Sequence, residues 1–254
     1  MNELKKILII IAIISSSFYL FGCKSATQKV DYSSDEEIFL NAKKLFEEKE
    51  YKESQSLLDL LSIQYPASKY ADDAQYYLAE INFANEEYIL AAFNYNRLLK
   101  NFSASEYAKS AMYKAALSYF ELSPSYDRDQ RYTREAIKAF RDFQMTYPND
   151  SLSIEASNKI MQLREKLANR EFFTAELYKK LDSPISSIIY YDEVINNYSD
   201  TKFFESAFFG KIQTLFEIGK YEQIKSLIPI YKSTFPSGKF IANVLEIEKS
   251  IKSN

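Results

Sequence analysis

The residue with the most evident chemistry is Cys23, the only cysteine in the 254-residue chain. It follows an apolar stretch, residues 18–21, and a glycine. A lone cysteine can be a buried thiol, a nucleophile, half of an intermolecular disulfide or a site of modification. The chain contains no histidine, which excludes histidine-paired nucleophiles, histidine metal sites and histidine proton shuttles.

A second group with possible chemistry is Asp127-Arg128-Asp129, which could pair two carboxylates or bind a cation. The sequence around it lacks the spacing of an EF-hand loop, and alternating charges in a polar insertion are usually solvated or ion-paired. Only four glycines occur, in neither a GxGxxG nor a GxxxxGK pattern, so a phosphate-binding loop is not expected. The sequence therefore predicts no catalytic residue, no metal site and no cofactor.

The amino-terminal segment, residues 1–22, has the organisation of a secretion signal. Lys5 and Lys6 supply its positive region, and residues 7–14 form its apolar centre. This run is shorter than the roughly 20 residues that a membrane-spanning helix needs, although a retained anchor is the alternative. We expect residues 1–22 to be removed.

The end of this segment, Leu20-Phe21-Gly22-Cys23, resembles the lipobox of bacterial lipoproteins. The resemblance implies that the chain is cut before Cys23, that the sulfur of Cys23 receives a diacylglyceryl group, and that the new amino terminus is acylated. Residues 23–34 then form a lipidated cysteine and a short polar tether. The membrane is accordingly an expected partner, through a lipid anchor at Cys23.

Charge and composition limit the remaining classes. Without Glu3, Lys5 and Lys6 the chain keeps 30 basic and 34 acidic side chains, which gives no basic footprint for nucleic acid. Glycine and proline are scarce, at four and six residues, while leucine, alanine, glutamate and lysine are frequent. This composition favours helices over sheets.

The chain also repeats itself. Small residues recur at Ala42, Ala79 and Ala116 with a spacing of 37, and apolar pairs follow each turn. The pattern resembles the tetratricopeptide repeat, a helix-turn-helix unit. It predicts an all-α, right-handed superhelix of five repeats and a C-terminal capping helix, although a helical bundle with chance periodicity is the alternative. The predicted units are 35–66, 72–103, 109–148, 168–199 and 205–236, with a linking helix at 152–167 and the cap at 239–252.

Two positions depart from this pattern. Ile212 stands where the fifth unit should have a small residue, and Pro184 opens the second helix of the fourth unit. Proline is acceptable there because the first turn of a helix has no N–H partner to lose.

Aromatic residues recur at regular positions along the first helix of each unit, and we call this row the ladder. One precedes the small residue by three positions and another follows it by four, and in the first three units these are Phe39, Phe46, Tyr76, Phe83, Tyr113 and Phe120. They can pack neighbouring helices together. Alternatively, some of them line an apolar groove for an extended peptide, in which aromatic rings supply most of the contact energy.

Residues 127–178 go beyond a generic repeat, and include Asp127-Arg128-Asp129-Gln130, Tyr147-Pro148 and Glu171. This stretch closely resembles the BamD family, lipoproteins of the outer-membrane β-barrel assembly complex. The stretch YPASKYADDAQYYLAE, residues 65–80, is also similar to that family. The family has five repeats and an acylated N-terminal cysteine, in agreement with the features above.

The resemblance implies a noncatalytic scaffold, lipid-anchored on the periplasmic face of the outer membrane. Its N-terminal repeats, 35–150, would bind unfolded outer-membrane proteins, and its C-terminal part, 151–254, would hold a POTRA domain of a BamA-like protein. In that family, the second helix of the fourth unit often carries a charged residue that faces this partner. This chain has Ile189-Tyr190-Tyr191 there instead. The partner contact is therefore expected to be more apolar or to lie elsewhere. The competing hypotheses are a repeat-protein adaptor for cell-envelope division or wall synthesis, and an enzyme with paired carboxylates.

Overall fold

The computed structural model describes residues 34–252, and these residues form helices, turns and no strand. The predicted all-α fold class is confirmed. The predicted signal segment, residues 1–22, lies outside the described residues, as do Cys23 and residues 24–33 of its predicted tether. The helices are α1 (Asp35–Glu47), α2 (Tyr51–Gln64), α3 (Ala71–Ala84), α4 (Tyr88–Asn101), α5 (Ala108–Glu121), α6 (Arg131–Thr146), α7 (Ser151–Lys180), α8 (Pro184–Asn197), α9 (Phe204–Glu217), α10 (Tyr221–Thr234) and α11 (Ile241–Lys252).

Each helix packs mainly against the next one along the chain. Contacts between more distant helices include α1 with α3, α5 with α7, and α9 with α11. This nearest-neighbour arrangement is that of a helical-repeat array, in which stacked helix pairs share a continuous core. The last helix, α11, covers the exposed side of α10 and α9 and so occupies the place predicted for the capping helix.

The small residues of the repeat allow the paired helices to approach closely. Ala42, Ala79, Ala116 and Ala175 are all fully buried. In the first unit, Ser54 Oγ donates to the carbonyl oxygen of Ala42 at 2.8 Å, so α1 and α2 are also joined by a hydrogen bond. The apolar positions that follow are buried as well: Leu58, Leu61, Tyr95, Leu98, Phe140, Phe143, Tyr191, Val194, Ile228 and Tyr231.

The fifth unit has its small residue at a different position. Ile212 is fully buried at the position where a small residue was expected. The close approach occurs at Gly210, where an added Cβ would lie 2.5 Å from Cζ of Tyr191 on α8. The small residue has therefore moved along α9, to the point where the Tyr191 ring presses against the helix backbone.

Four of the five turns between paired helices share one geometry, and the longer loop of the third unit, residues 122–130, is the exception. Lys49, Glu86, Asp182 and Gly219 all have positive φ, between 54° and 72°. In each turn the following N–H donates to a carbonyl five residues back, for example Glu50 N to Leu45 O and Lys220 N to Leu215 O. This is the Schellman ending of a helix, which favours glycine at the left-handed position.

The left-handed turns lead to a stability prediction for Gly219 and Asp182. An added Cβ at Gly219 would meet no atom within 4 Å, so Gly219→Ala tests backbone strain alone. We expect it to lower the free energy of unfolding by about 1–2 kcal/mol, the cost of a left-handed non-glycine residue. Asp182→Gly should act in the opposite direction. Urea denaturation followed by circular dichroism measures both, and equal stability of all three proteins would contradict the assignment.

The long helix α7 corrects one sequence expectation. A linking helix at 152–167 and a separate first helix of the fourth unit were predicted, but α7 is a single helix of 30 residues, Ser151–Lys180. It contains neither proline nor glycine, and it has buried residues in both halves, from Ser153 to Ala168 and again at Ala175. Its start is fixed by Asp150, whose side chain accepts from Leu152 N at 2.9 Å.

Candidate peptide-binding face

The six residues of the predicted aromatic groove differ in their burial. Phe39 and Tyr113 are only 5% and 6% exposed, whereas the other four are half-buried. The Phe39 ring stacks on Tyr70 with a centroid distance of 4.6 Å, and Tyr113 meets Phe143 edge-on at 5.3 Å. The burial of Phe39 and Tyr113 favours the packing interpretation for these two rings. A ligand would contact the ladder through the half-buried members, Phe46, Tyr76, Phe83 and Phe120.

The half-buried rings of the first two units meet around Tyr77. Its ring centroid lies 5.0 Å from that of Phe46, 5.9 Å from Tyr76 and 6.4 Å from Tyr107. We call Phe46, Tyr76, Tyr77 and Tyr107 the aromatic cluster; it joins α1, α3 and the residue that precedes α5. Sequence reasoning missed Tyr77, because it stands one residue beyond the ladder. The signal in the sequence was the position of Tyr77, two residues before the small Ala79. On a helix, this spacing places the Tyr77 side chain away from the contact between α3 and α4.

Two tyrosines of the aromatic cluster are held by hydrogen bonds between neighbouring units. Tyr76 stacks on Tyr107 at 4.3 Å, and its hydroxyl shares a hydrogen bond of 3.0 Å with Ser110. Tyr107 donates to Asp73 at 2.9 Å. Burial raises the pKa of Tyr76 to about 12 and also raises the pKa of Tyr107. Both hydroxyls are therefore neutral at physiological pH, and the surface is aromatic without carrying phenolate charge.

Phe83 and Phe120 have lysine ammonium groups near their rings. Lys159 Nζ lies 4.2 Å from the Phe120 centroid, and Lys114 Nζ lies 6.0 Å from the Phe83 centroid. Lys114 also donates to Glu80 at 2.6 Å. Such cation–π contacts stabilise the exposed side of the rings. Along this face, half-buried rings thus alternate with charged groups, an arrangement suited to an extended chain with mixed side chains.

The loop between α5 and α6, residues 122–130, is organised by the buried side chain of Gln130. This side chain is 1% exposed, and its amide nitrogen donates to the carbonyls of Ser125 (2.7 Å) and Arg128 (2.9 Å). Lys166 on α7 donates to Ser123 Oγ at 2.7 Å, and Arg170 donates to the carbonyl of Arg128. The loop is therefore fastened to α7 rather than merely solvated.

One acidic residue of this loop, Asp127, has a shifted pKa. Asp127 accepts a hydrogen bond from Ser125 Oγ, and this bond lowers the pKa of Asp127. The carboxyl is therefore ionised at neutral pH and is a poor general acid. No group of three or more potential metal-ligating side chains occurs within residues 34–252. Nor does any helix of this part of the chain have the length and hydropathy to cross a bilayer.

Stacked helix pairs with half-buried rings along their first helices define a tetratricopeptide-type repeat protein. Comparison with known proteins identifies the family. The family model YfiO, described as outer membrane lipoprotein, matches residues 31–227. The chain belongs to this family, and the predicted membership in the BamD family is confirmed.

The relatives are named as outer-membrane protein assembly factors. Outer membrane protein assembly factor BamD of Rickettsia prowazekii is 24% identical over 243 residues, covering 95% of this chain and 97% of the relative. BamD of Haemophilus influenzae is 24% identical over 202 residues, covering 76% and 77% of the two chains. A thermophilic tetratricopeptide protein of Thermus thermophilus is structurally similar at a TM-score of 0.36, with 13% identity and coverage of 87% and 98%. The fold assignment rests on the helices of this chain and not on that last similarity.

Proposed function

We propose that this protein is a noncatalytic scaffold for the assembly of outer-membrane proteins, held at the periplasmic face of the outer membrane by lipid on Cys23. The observation that carries the proposal is the family match over residues 31–227, together with similarity along nearly the whole of an assembly factor. A scaffold needs surfaces rather than a reactive centre, and the aromatic cluster is such a surface.

The two ends of the array receive different tasks in this proposal. The N-terminal units, with the aromatic cluster, bind unfolded outer-membrane proteins, because half-buried rings offer contact to many apolar side chains. The C-terminal units hold a POTRA domain of a BamA-like protein. Ile185 and Ile189, one turn apart on α8, are both 61% exposed. They supply the more apolar partner contact that the sequence of this helix led us to expect.

Affinity purification from detergent extracts, followed by mass spectrometry, tests the proposal. We expect a POTRA-containing barrel protein to co-purify, and we expect Ile185→Asp/Ile189→Asp to reduce its recovery. Ile63→Asp/Ile89→Asp is the matched control, because Ile63 on α2 and Ile89 on α4 are 78% and 58% exposed in the N-terminal part of the array. Recovery of peptidoglycan enzymes alone would favour the adaptor hypothesis, and recovery of no partner would reject the scaffold.

A peptide-binding prediction concerns Phe46 and Phe83. Their joint replacement by alanine should weaken binding of a labelled barrel-strand peptide about tenfold, the effect of removing one or two aromatic contacts. Fluorescence anisotropy gives the affinity, and thermal unfolding shows whether the fold persists. Phe93→Ala is the control, since Phe93 is 61% exposed on α4 outside the ladder. Unchanged affinity with a collapsed melting temperature would mean that both rings only pack the array.

A further inference from the structure

A concave surface between α6, α7 and the end of α8 has an unusual concentration of positive charge. It has a volume of about 440 Å³, and its lining includes Arg134, Lys138 and Arg141 from α6 and Arg164 from α7. The spacing of the first three, four and then three residues, places them along one face of α6. We call this surface the α6–α7 cleft.

One of the four cations of the lining forms an ion pair with the described residues, and the other three do not. Arg164 makes a bidentate pair with Asp200, with both N–O distances at 2.6 Å. Arg134, Lys138 and Arg141 are exposed, and none of them forms an ion pair with any residue of 34–252. Asp142 is the carboxylate that contributes to the lining. Arg134 and Arg141 also interact electrostatically with the carboxylates of Glu171 and Asp200, respectively. Because Arg134, Lys138 and Arg141 stay exposed and form no ion pair within this part of the chain, they remain available to the carboxylates of a ligand.

The floor of the α6–α7 cleft is apolar. Ile137 and Leu167 are 8% and 5% exposed, and Tyr198 is half-buried. Met145, at the end of α6, contributes a 73% exposed thioether side chain. A sunken apolar floor below a row of cations can seat an apolar side chain while carboxylates on either side reach the cations. A bilayer surface cannot enter such a concavity, whereas a protruding loop or helix can.

We propose that the α6–α7 cleft binds an acidic segment of a protein partner, with an apolar side chain placed between two or more carboxylates. The lining of the site shares no residue with the aromatic cluster or with the exposed isoleucines of α8 named above. It therefore goes beyond the proposed function, and its failure would leave that function intact. Charge complementarity selects the partner, and the apolar floor distinguishes a folded or extended segment from a free anion.

The test uses the full-length protein in detergent and two labelled, capped peptides, Glu-Asp-Leu-Asp-Glu and its amide counterpart Gln-Asn-Leu-Asn-Gln. Fluorescence anisotropy at low and moderate salt gives the affinities. We expect the acidic peptide to bind at least about tenfold more tightly than the amide peptide, because charge-assisted hydrogen bonds are about twice as strong as neutral ones. Higher salt should weaken the binding of the acidic peptide more than the binding of the amide peptide.

Charge-reversal variants test whether the acidic peptide binds in the α6–α7 cleft. Lys138→Glu/Arg141→Glu should abolish the preference for the acidic peptide. Lys52→Glu/Lys100→Glu is the matched control, with the same charge change at exposed lysines of α2 and α4, and it should retain the preference. Circular dichroism confirms that both variants are folded.

Several outcomes would overturn this proposal. They are equal affinity for both peptides, no binding of the acidic peptide up to millimolar concentration, or an equal loss in the control variant. Glycerol 1-phosphate, a soluble fragment of the phosphatidylglycerol headgroup, supplies the remaining arm, with its binding measured by titration calorimetry. If it binds the parent protein and not the cleft variant while the acidic peptide never binds, the cleft takes a phosphate headgroup and not a protein segment.

Discussion

Phe140→Ala should destabilise the protein by about 3–5 kcal/mol, which is the usual cost of removing a large buried ring. Phe140 is fully buried on α6, and its ring contacts Tyr113 at 5.7 Å and Phe120 at 6.4 Å between centroids. Its loss leaves a cavity in a core that also contains residues of α5 and α7. Urea denaturation should show the change as a lower midpoint.

The matched control for this prediction is again Phe93→Ala. It removes the same ring from a position that is 61% exposed, and it should change the free energy of unfolding by less than about 0.5 kcal/mol. Because neighbouring repeats stabilise one another, we expect the Phe140 variant to loosen α5 and α7 as well as α6. Similar stability of the two variants would contradict the assigned core.

Cys23→Ala should abolish the lipid anchor, which is the largest functional effect that we expect. The proposal places lipid on the sulfur and on the new amino terminus, and two or more acyl chains are needed for stable anchoring. Without Cys23 neither modification can occur, and the chain should remain unprocessed or become soluble. Membrane fractionation and intact mass spectrometry measure the two consequences.

Ser25→Ala, two residues further on, is the control for this experiment and should be processed and anchored like the parent protein. If Cys23→Ala leaves both the fractionation and the mass unchanged, the lipid-anchor proposal fails. A retained signal helix would then be the better explanation, and deletion of residues 7–14 would show it by loss of membrane association.

Repeat spacing was enough to predict the helix pairs because each unit is a local structure. The small residues and the apolar pairs lie within about 25 residues of one another, so their periodicity is visible in the sequence. The fused helix α7 was missed for the opposite reason. Its two halves belong to different packing environments, and the change of register near 167 resembles a boundary although the backbone continues.

The functional surfaces were less predictable, because they depend on contacts between residues that are far apart in the sequence. Lys166 donates a hydrogen bond to Ser123, which lies 43 residues earlier in the sequence, and no periodic pattern predicts such a contact. Tyr198 joins the α6–α7 cleft from the end of α8, more than 50 residues after Met145. Half-burial also cannot be inferred from residue type, which is why Phe39 and Phe46 look alike in the sequence but differ in exposure.

The continuous helix α7 has a mechanical consequence for a scaffold. At about 1.5 Å per residue, a helix of 30 residues is about 45 Å long, and it packs against α6 near one end and α8 near the other. It would therefore keep a fixed distance between the part proposed to receive a substrate and the part proposed to hold a partner. Cargo collected at one end would be delivered at a set distance and angle, without a search through the conformations of a hinge.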